Sequence, residues 1–177
     1  MHIGAAEQIA LRGLLGTLND TLPAPLSPEW EAAFWSTPRH AFLPQTIWTG
    51  DDLAACDRRT APVAWMKAAY ADAPVITQIN DGHPAPGDPR WPSCSASAPS
   101  IVLRMLDMLT LERGHRVLEV GTGTGWNTAL VTRRLGAGDL VTSMEIDPAM
   151  AAHAQRNLEA LGLTPRLVCA DGSAGHL

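Results

Sequence analysis

The run Val117-Leu118-Glu119-Val120-Gly121-Thr122-Gly123-Thr124-Gly125 narrows the folds open to this chain more than any other stretch. Arg116 to Val120 reads as a short buried strand, glycines follow at alternate positions, and a helical pattern then runs to Leu135. Glycine accepts the positive backbone angles of a tight strand-to-helix turn and lets a ligand approach the main chain closely. The helix beyond it leaves unbonded amide groups at its N-terminus. The spacing is GxGxG, with an acid, Glu119, two residues before the first glycine. A dinucleotide fingerprint needs GxGxxG, and its third glycine falls on Trp126.

The pattern continues as alternating strands and helices. Leu140 to Glu145 is a second strand, Pro148 opens a helix to about Leu161, and Arg166 to Cys169 is a third strand. This order predicts a parallel sheet with right-handed crossovers. Glu145 ends the second strand, 24 residues after Gly121. A carboxylate there suits two ribose hydroxyls. Cys169-Ala170-Asp171-Gly172 ends the third strand. Each acid also has a purely structural reading. Glu119 is then a strand-end acid, Asp147 before Pro148 a helix cap, and Asp171-Gly172 a turn. Their placement at three successive strand ends favours a ligand site, because open α/β sheets bind ligands there.

Upstream, residues 5 to 18 read as an amphipathic helix with Ile9, Leu11, Leu14, Leu15 and Leu18 at helical spacing. After the proline-rich break at 22–25, Ser27 suits an N-cap and Pro28 the first helical residue. Trp30, Ala33 and Phe34 give that helix an apolar face, and it stops before Pro38. Residues 38 to 92 are expected to be irregular, with a helical turn near 61–70, a strand at 75–79 and a loop at 83–92. Beyond Pro99, Ile101, Val102, Met105, Leu106 and Leu109 form a helical stripe.

The acid, the GxGxG loop and the later acids resemble motif I and its partners in class I methyltransferases. Thr37-Pro38-Arg39-His40-Ala41-Phe42-Leu43-Pro44 resembles the PRHxFxP element of protein-L-isoaspartate O-methyltransferases, and Ser95-Ala96-Ser97-Ala98-Pro99 resembles that family's T-I-S-A/Q-P segment. The resemblance implies an α/β, Rossmann-like class I methyltransferase sheet, with residues 1–98 an N-terminal helical, substrate-side extension and 99–177 the first half of the cofactor domain. It implies S-adenosyl-L-methionine as cofactor, held by Glu119, Gly121, Thr122, Gly123, Gly125, Glu145, Ile146, Asp171 and Gly172, with no metal. It places Ser97 at the active-site serine and Ser95 at the family's threonine. A structural alternative for Ser97 is the N-cap of the next helix. Ser100 and Val102 stand where the family often has histidines. The Ala/Ser-rich segment and Gly123-Thr124-Gly125-Trp126-Asn127 resemble a bacterial subgroup that methylates an aspartate of ribosomally made peptides, which then closes to aspartimide.

The implied activity is methylation of isoaspartyl or aspartyl carboxylates in proteins or peptides, leading to succinimide. A carboxylate is already ionised at neutral pH, so no general base is required and His40 and His83 are read as structural. Two rival readings are a noncatalytic remnant that binds cofactor weakly and a nucleotide-dependent oxidoreductase. A class I sheet has seven strands, commonly ordered 3-2-1-4-5-7-6, and three are legible here. The expectations are a shortened product, a half-domain completed by another polypeptide, or a remnant. Strand 1 would offer an apolar edge for self-association or a partner chain.

Composition enters as exclusion. Net charge is −5, Lys67 is the only lysine, and no basic run exists, which argues against nonspecific nucleic-acid binding. Cys56, Cys94 and Cys169 lack metal or redox spacing and read as reduced thiols. No window is apolar enough to span a membrane, and Met1-His2-Ile3-Gly4 lacks a signal peptide's basic and apolar regions. A cytoplasmic protein is expected.

Overall fold

Helix α1 (Ala5–Thr21) buries Leu11, Leu14, Leu15 and Leu18, while Ile9, expected on the same face, points to solvent. The computed structural model describes residues 4–83, 85, 87 and 89–175. Helix α2 (Pro28–Ser36) starts as its sequence dictates: Ser27 Oγ accepts the amide of Trp30 at 3.4 Å, and Trp30, Ala33 and Phe34 are buried.

The segment expected to be irregular is instead a small sheet. Strands β1 (Thr46–Thr49), β2 (Ala54–Asp57), β3 (Val75–Ile79) and β4 (Pro92–Ala96) pair antiparallel in the order β2-β1-β3-β4, with helix α3 (Pro62–Ala69) between β2 and β3. Only β3 carries a clear alternation, burying Val75, Thr77 and Ile79. The other strands are short and take their conformation from pairing rather than from a local pattern. Pro92 is tolerated because β4 is an edge strand and opens with it. Of the loop expected at 83–92, residues 84, 86 and 88 lie outside the described residues.

The second half follows the expected alternation. Helix α4 (Pro99–Met108) leads into β5 (Val117–Val120), α5 (Trp126–Leu135), β6 (Val141–Glu145), α6 (Pro148–Ala160) and β7 (Arg166–Cys169). The strands are parallel in the order β5-β6-β7, with Val117 opposite Val141 and Met144 opposite Val168. Two expectations need correcting. Strand β5 is not buried: among the described residues it has one neighbour, and Leu118 and Val120 are 45% and 60% exposed. On α4 the buried residues are Pro99, Val102, Leu103 and Leu106, whereas Ile101, Met105 and the C-cap Leu109 are exposed. Apolar spacing marks a wide face, and neighbouring elements decide which part of it is covered.

One contiguous apolar core joins the two halves, running from Leu11 and Phe34 through Trp65 and Val75 to Leu103, Leu130 and Val141. Polar ties add direction. Trp126 Nε1 donates to Thr37 O at 2.9 Å, fastening the start of α5 to the end of α2. Asn157 Nδ2 donates to Phe42 O at 3.2 Å and Thr124 O at 2.9 Å, holding the glycine loop against the turn after α2.

Candidate cofactor and substrate site

The glycine loop hangs from the tip of β6. The amides of Gly121 and Thr122 both donate to Met144 O, at 2.8 and 3.1 Å. Gly121, Gly123 and Gly125 have φ of 89°, 55° and 91°, the left-handed region that glycine adopts without steric cost. The three then diverge in use. A side chain at Gly121 would meet nothing within 4 Å, so the main chain there faces open space. One at Gly123 would stand 3.5 Å from Cys94 Sγ on β4. One at Gly125 would press on Ala154 at 3.3 Å, so this glycine serves the packing of α5 on α6.

A cleft of about 340 Å³ opens between the loop and the end of β4, with Ser95 and Ser97 on one wall and Glu119 to Thr124 on the other. That is the lower end of the size range of small-molecule sites. Ser95 and Ser97 are exposed, and neither hydroxyl has a hydrogen-bond partner among the described residues. Ser97 is not the helix cap: the N-cap of α4 is Ala98, with no side-chain bond, and Asp72 Oδ1 accepts the amide of Ser100 at 2.9 Å instead.

Glu119 is half-buried and fully engaged. It accepts from Asn127 Nδ2 at 2.6 Å, from Ser143 Oγ at 2.6 Å and from Thr128 Oγ1. Ser143 Oγ lies 2.6 Å from Thr122 Oγ1, so the network reaches the loop itself. Burial raises the Glu119 carboxyl above its ordinary value, against the opposing pull of its three donors. This acid braces β5, α5 and the loop together. Ser143 and Thr128 carry no local mark in the sequence, and Asn127 stands out there only as the end of the Gly123–Asn127 run.

Glu145 ends β6 with Oε2 accepting the Gly123 amide at 2.7 Å and Oε1 accepting the Asp147 amide at 3.1 Å. Ile146 beside it is 68% exposed. Asp147 is the cap of α6, accepting from Ala149 and Met150, and its other oxygen takes Gln78 Nε2 at 2.6 Å. The Gln78 bond leads in holding that carboxyl below the usual range. Gln78 lies on β3, so the antiparallel sheet is clipped to the tip of β6. Asp171 is exposed and accepts the Ser173 amide at 2.9 Å. A Cβ on Gly172 would fall 2.5 Å from Val120 Cγ1, so the chain leaving β7 lies against the tip of β5. His40 is spent structurally: Nδ1 lies 2.6 Å from the Tyr70 hydroxyl, and burial lowers its pKa.

A parallel sheet with an acid-led GxGxG turn after one strand and an acid at the tip of the next is the architecture of a Rossmann-like class I methyltransferase domain. Residues 49–177 match the family model for protein-L-isoaspartate(D-aspartate) O-methyltransferase, and the chain belongs to that family. It is 34% identical over 152 residues to protein-L-isoaspartate O-methyltransferase 1 of Archaeoglobus fulgidus, covering 85% of this chain and 56% of that one. It is 42% identical over 115 residues to the Anaeromyxobacter dehalogenans enzyme of the same name, covering 64% and 47%. A solved protein-L-isoaspartate O-methyltransferase superposes with a TM-score of 0.65 at 26% identity, covering 92% of this chain and 42% of that one. The fold is shared, at 15% identity and a TM-score of 0.59, with a Plasmodium falciparum relative solved with S-adenosyl-L-homocysteine, covering 92% of this chain and 63% of that one. The chain spans about half the length of the curated relatives it matches.

Proposed function

We propose that this chain binds S-adenosylmethionine and takes part in methylating the free carboxylate of isoaspartyl or aspartyl residues in proteins or peptides. Residues 1–98 supply the substrate side and 99–177 the cofactor side. The observation that carries the reading is the cleft itself, which sets two unengaged serine hydroxyls across from a glycine loop whose main chain is open to a ligand.

The residues fit the cofactor. Open space at Gly121 admits its amino-acid portion, with Thr122, Gly123 and Gly125 shaping the turn and Glu119 bracing it. Glu145 suits the ribose hydroxyls, while Ile146, Asp171 and Gly172 lie at the strand tips where a nucleoside base would rest. The bound cofactor supplies a methyl group on a sulfonium. That methyl would pass to a carboxylate oxygen of the substrate, with the electron pair of the broken carbon–sulfur bond left on sulfur. No proton needs removing, so the protein's task is placement and electrostatics. Ser97, with Ser95 beside it, is suited to donate a hydrogen bond that orients the carboxylate. The methyl ester then closes to succinimide as the following backbone nitrogen attacks it and methanol leaves.

Calorimetry with S-adenosylhomocysteine and a methylation assay on isoaspartyl peptides test this. The expected result for Ser97→Ala is unchanged cofactor affinity and a roughly tenfold lower kcat/KM, the loss of one hydrogen bond to a charged group. Full turnover in that variant would remove the serine from the mechanism. Binding without transfer in the wild type would favour the noncatalytic reading, and tightest binding of a nicotinamide dinucleotide the oxidoreductase.

The partner surface we propose is the free edge of β5. Leu118 and Val120 stand exposed on a strand with one neighbour, and such edges recruit further strands. Sedimentation velocity is expected to show concentration-dependent association that Val120→Lys weakens. A monomer at every concentration would dismiss self-association through this edge.

A further inference from the structure

Arg39 is buried completely, yet among the described residues no carboxylate comes within 4.0 Å of it to form an ion pair. Its guanidinium donates to five main-chain carbonyls: Nη1 to Ala69 and Ala71 at 3.0 and 3.2 Å, and Nη2 to Ala73, Ala96 and Ser97 at 3.1, 3.1 and 3.0 Å. The first three belong to the end of α3 and the connection after it. The last two belong to the corner where β4 turns into α4, which carries Ser97 into the cleft. The charge also lies 5.6 Å over the Trp126 ring, at the end of the glycine loop. Burial lowers its pKa to about 10, so it remains cationic at neutral pH. Asp72, from the same connection, grips the other end of the corner through the Ser100 amide at 2.9 Å.

We infer that Arg39 and Asp72 form a clamp that positions the Ser97 corner over the glycine loop, with Arg39 holding its carbonyls and Asp72 its helix start. A purely structural arginine would be easier to replace by an apolar side chain, since a buried charge is costly to desolvate. What the guanidinium offers beyond filling space is a rigid planar fork that bonds two separate chain segments at once. Neither residue reaches into the cleft as a reacting group. They are positioning residues, and the inference rests on the proposed role of Ser97.

The test compares wild type, Arg39→Lys and Asp72→Ala by amide hydrogen exchange, S-adenosylhomocysteine affinity and turnover of an isoaspartyl peptide. Lysine keeps the charge but gathers its donors on one nitrogen. Exchange is expected to accelerate at residues 96–102, and kcat to fall roughly ten- to a hundredfold, while cofactor affinity stays within about twofold. The clamp is refuted if both variants keep wild-type exchange at 96–102 with unchanged kcat. It is equally refuted if cofactor affinity falls in step with kcat, since that signals general loosening. If the wild type neither binds cofactor nor turns over, the methyltransferase reading fails. Exchange then decides alone: acceleration confined to 96–102 supports the clamp, and unchanged or chain-wide acceleration overturns it.

Discussion

Replacing Gly123 by valine is expected to cut S-adenosylhomocysteine affinity by roughly a hundredfold or more while leaving a folded protein. Three effects coincide. The residue has φ of 55°, where a β-branched side chain is strongly disfavoured, at about 1–2 kcal/mol for the left-handed region alone. A Cβ there already contacts Cys94 Sγ at 3.5 Å, so the valine methyls would push the loop away from β4. The Gly123 amide is also the donor that orients Glu145 Oε2, so a displaced loop releases the carboxylate proposed for the ribose. Calorimetry gives the affinity and circular dichroism the fold. Affinity within about threefold of wild type would place the ligand elsewhere.

Glu119→Ala is expected to cost about 2–4 kcal/mol of folding stability, because the donors on Asn127, Thr128 and Ser143 lose their common acceptor inside the protein. Urea unfolding measures it, and a loss below about 1 kcal/mol would show that the hydroxyls re-pair among themselves. The conservative Glu119→Gln adds a pH test. Burial raises the native carboxyl above its ordinary 4.5, so the folded state holds this proton more tightly than the unfolded chain. That contribution is complete below the ordinary value and is lost as pH rises through the raised one. Wild type should therefore lose stability relative to Glu119→Gln as pH climbs from about 4.5 toward neutrality. A difference that stays flat over that range would mean the carboxyl titrates alike in both states.

Both expectations begin in features that local sequence makes plain. The helix starts at Ser27 and Asp147, the strand-to-helix turn at Gly121–Gly125 and the parallel alternation follow from capping, glycine angles and apolar period, all acting within a few residues. The antiparallel sheet was not legible, because β1, β2 and β4 each lack an alternating buried pattern and are held by partners distant in the chain. Ser97 invited a capping assignment by its position before Pro99. The first-turn amide of Ser100 bonds instead to Asp72, 28 residues before it, and this leaves the Ser97 hydroxyl unengaged. The half-exposed side of α4 was overread for the same reason: spacing marks an apolar face, but only a neighbour covers it.

By itself the sequence determined that a parallel α/β unit with a ligand-binding glycine turn forms here, since those elements depend on backbone geometry and periodicity close at hand. Tertiary structure decided what the charged and polar residues do: that Glu119 ties strand to helix, that Gln78 clips one sheet to the other, and that buried Arg39 gathers carbonyls from two segments. Those roles depend on which donors and acceptors packing brings within hydrogen-bond reach and away from water, and no pattern along the chain encodes that directly.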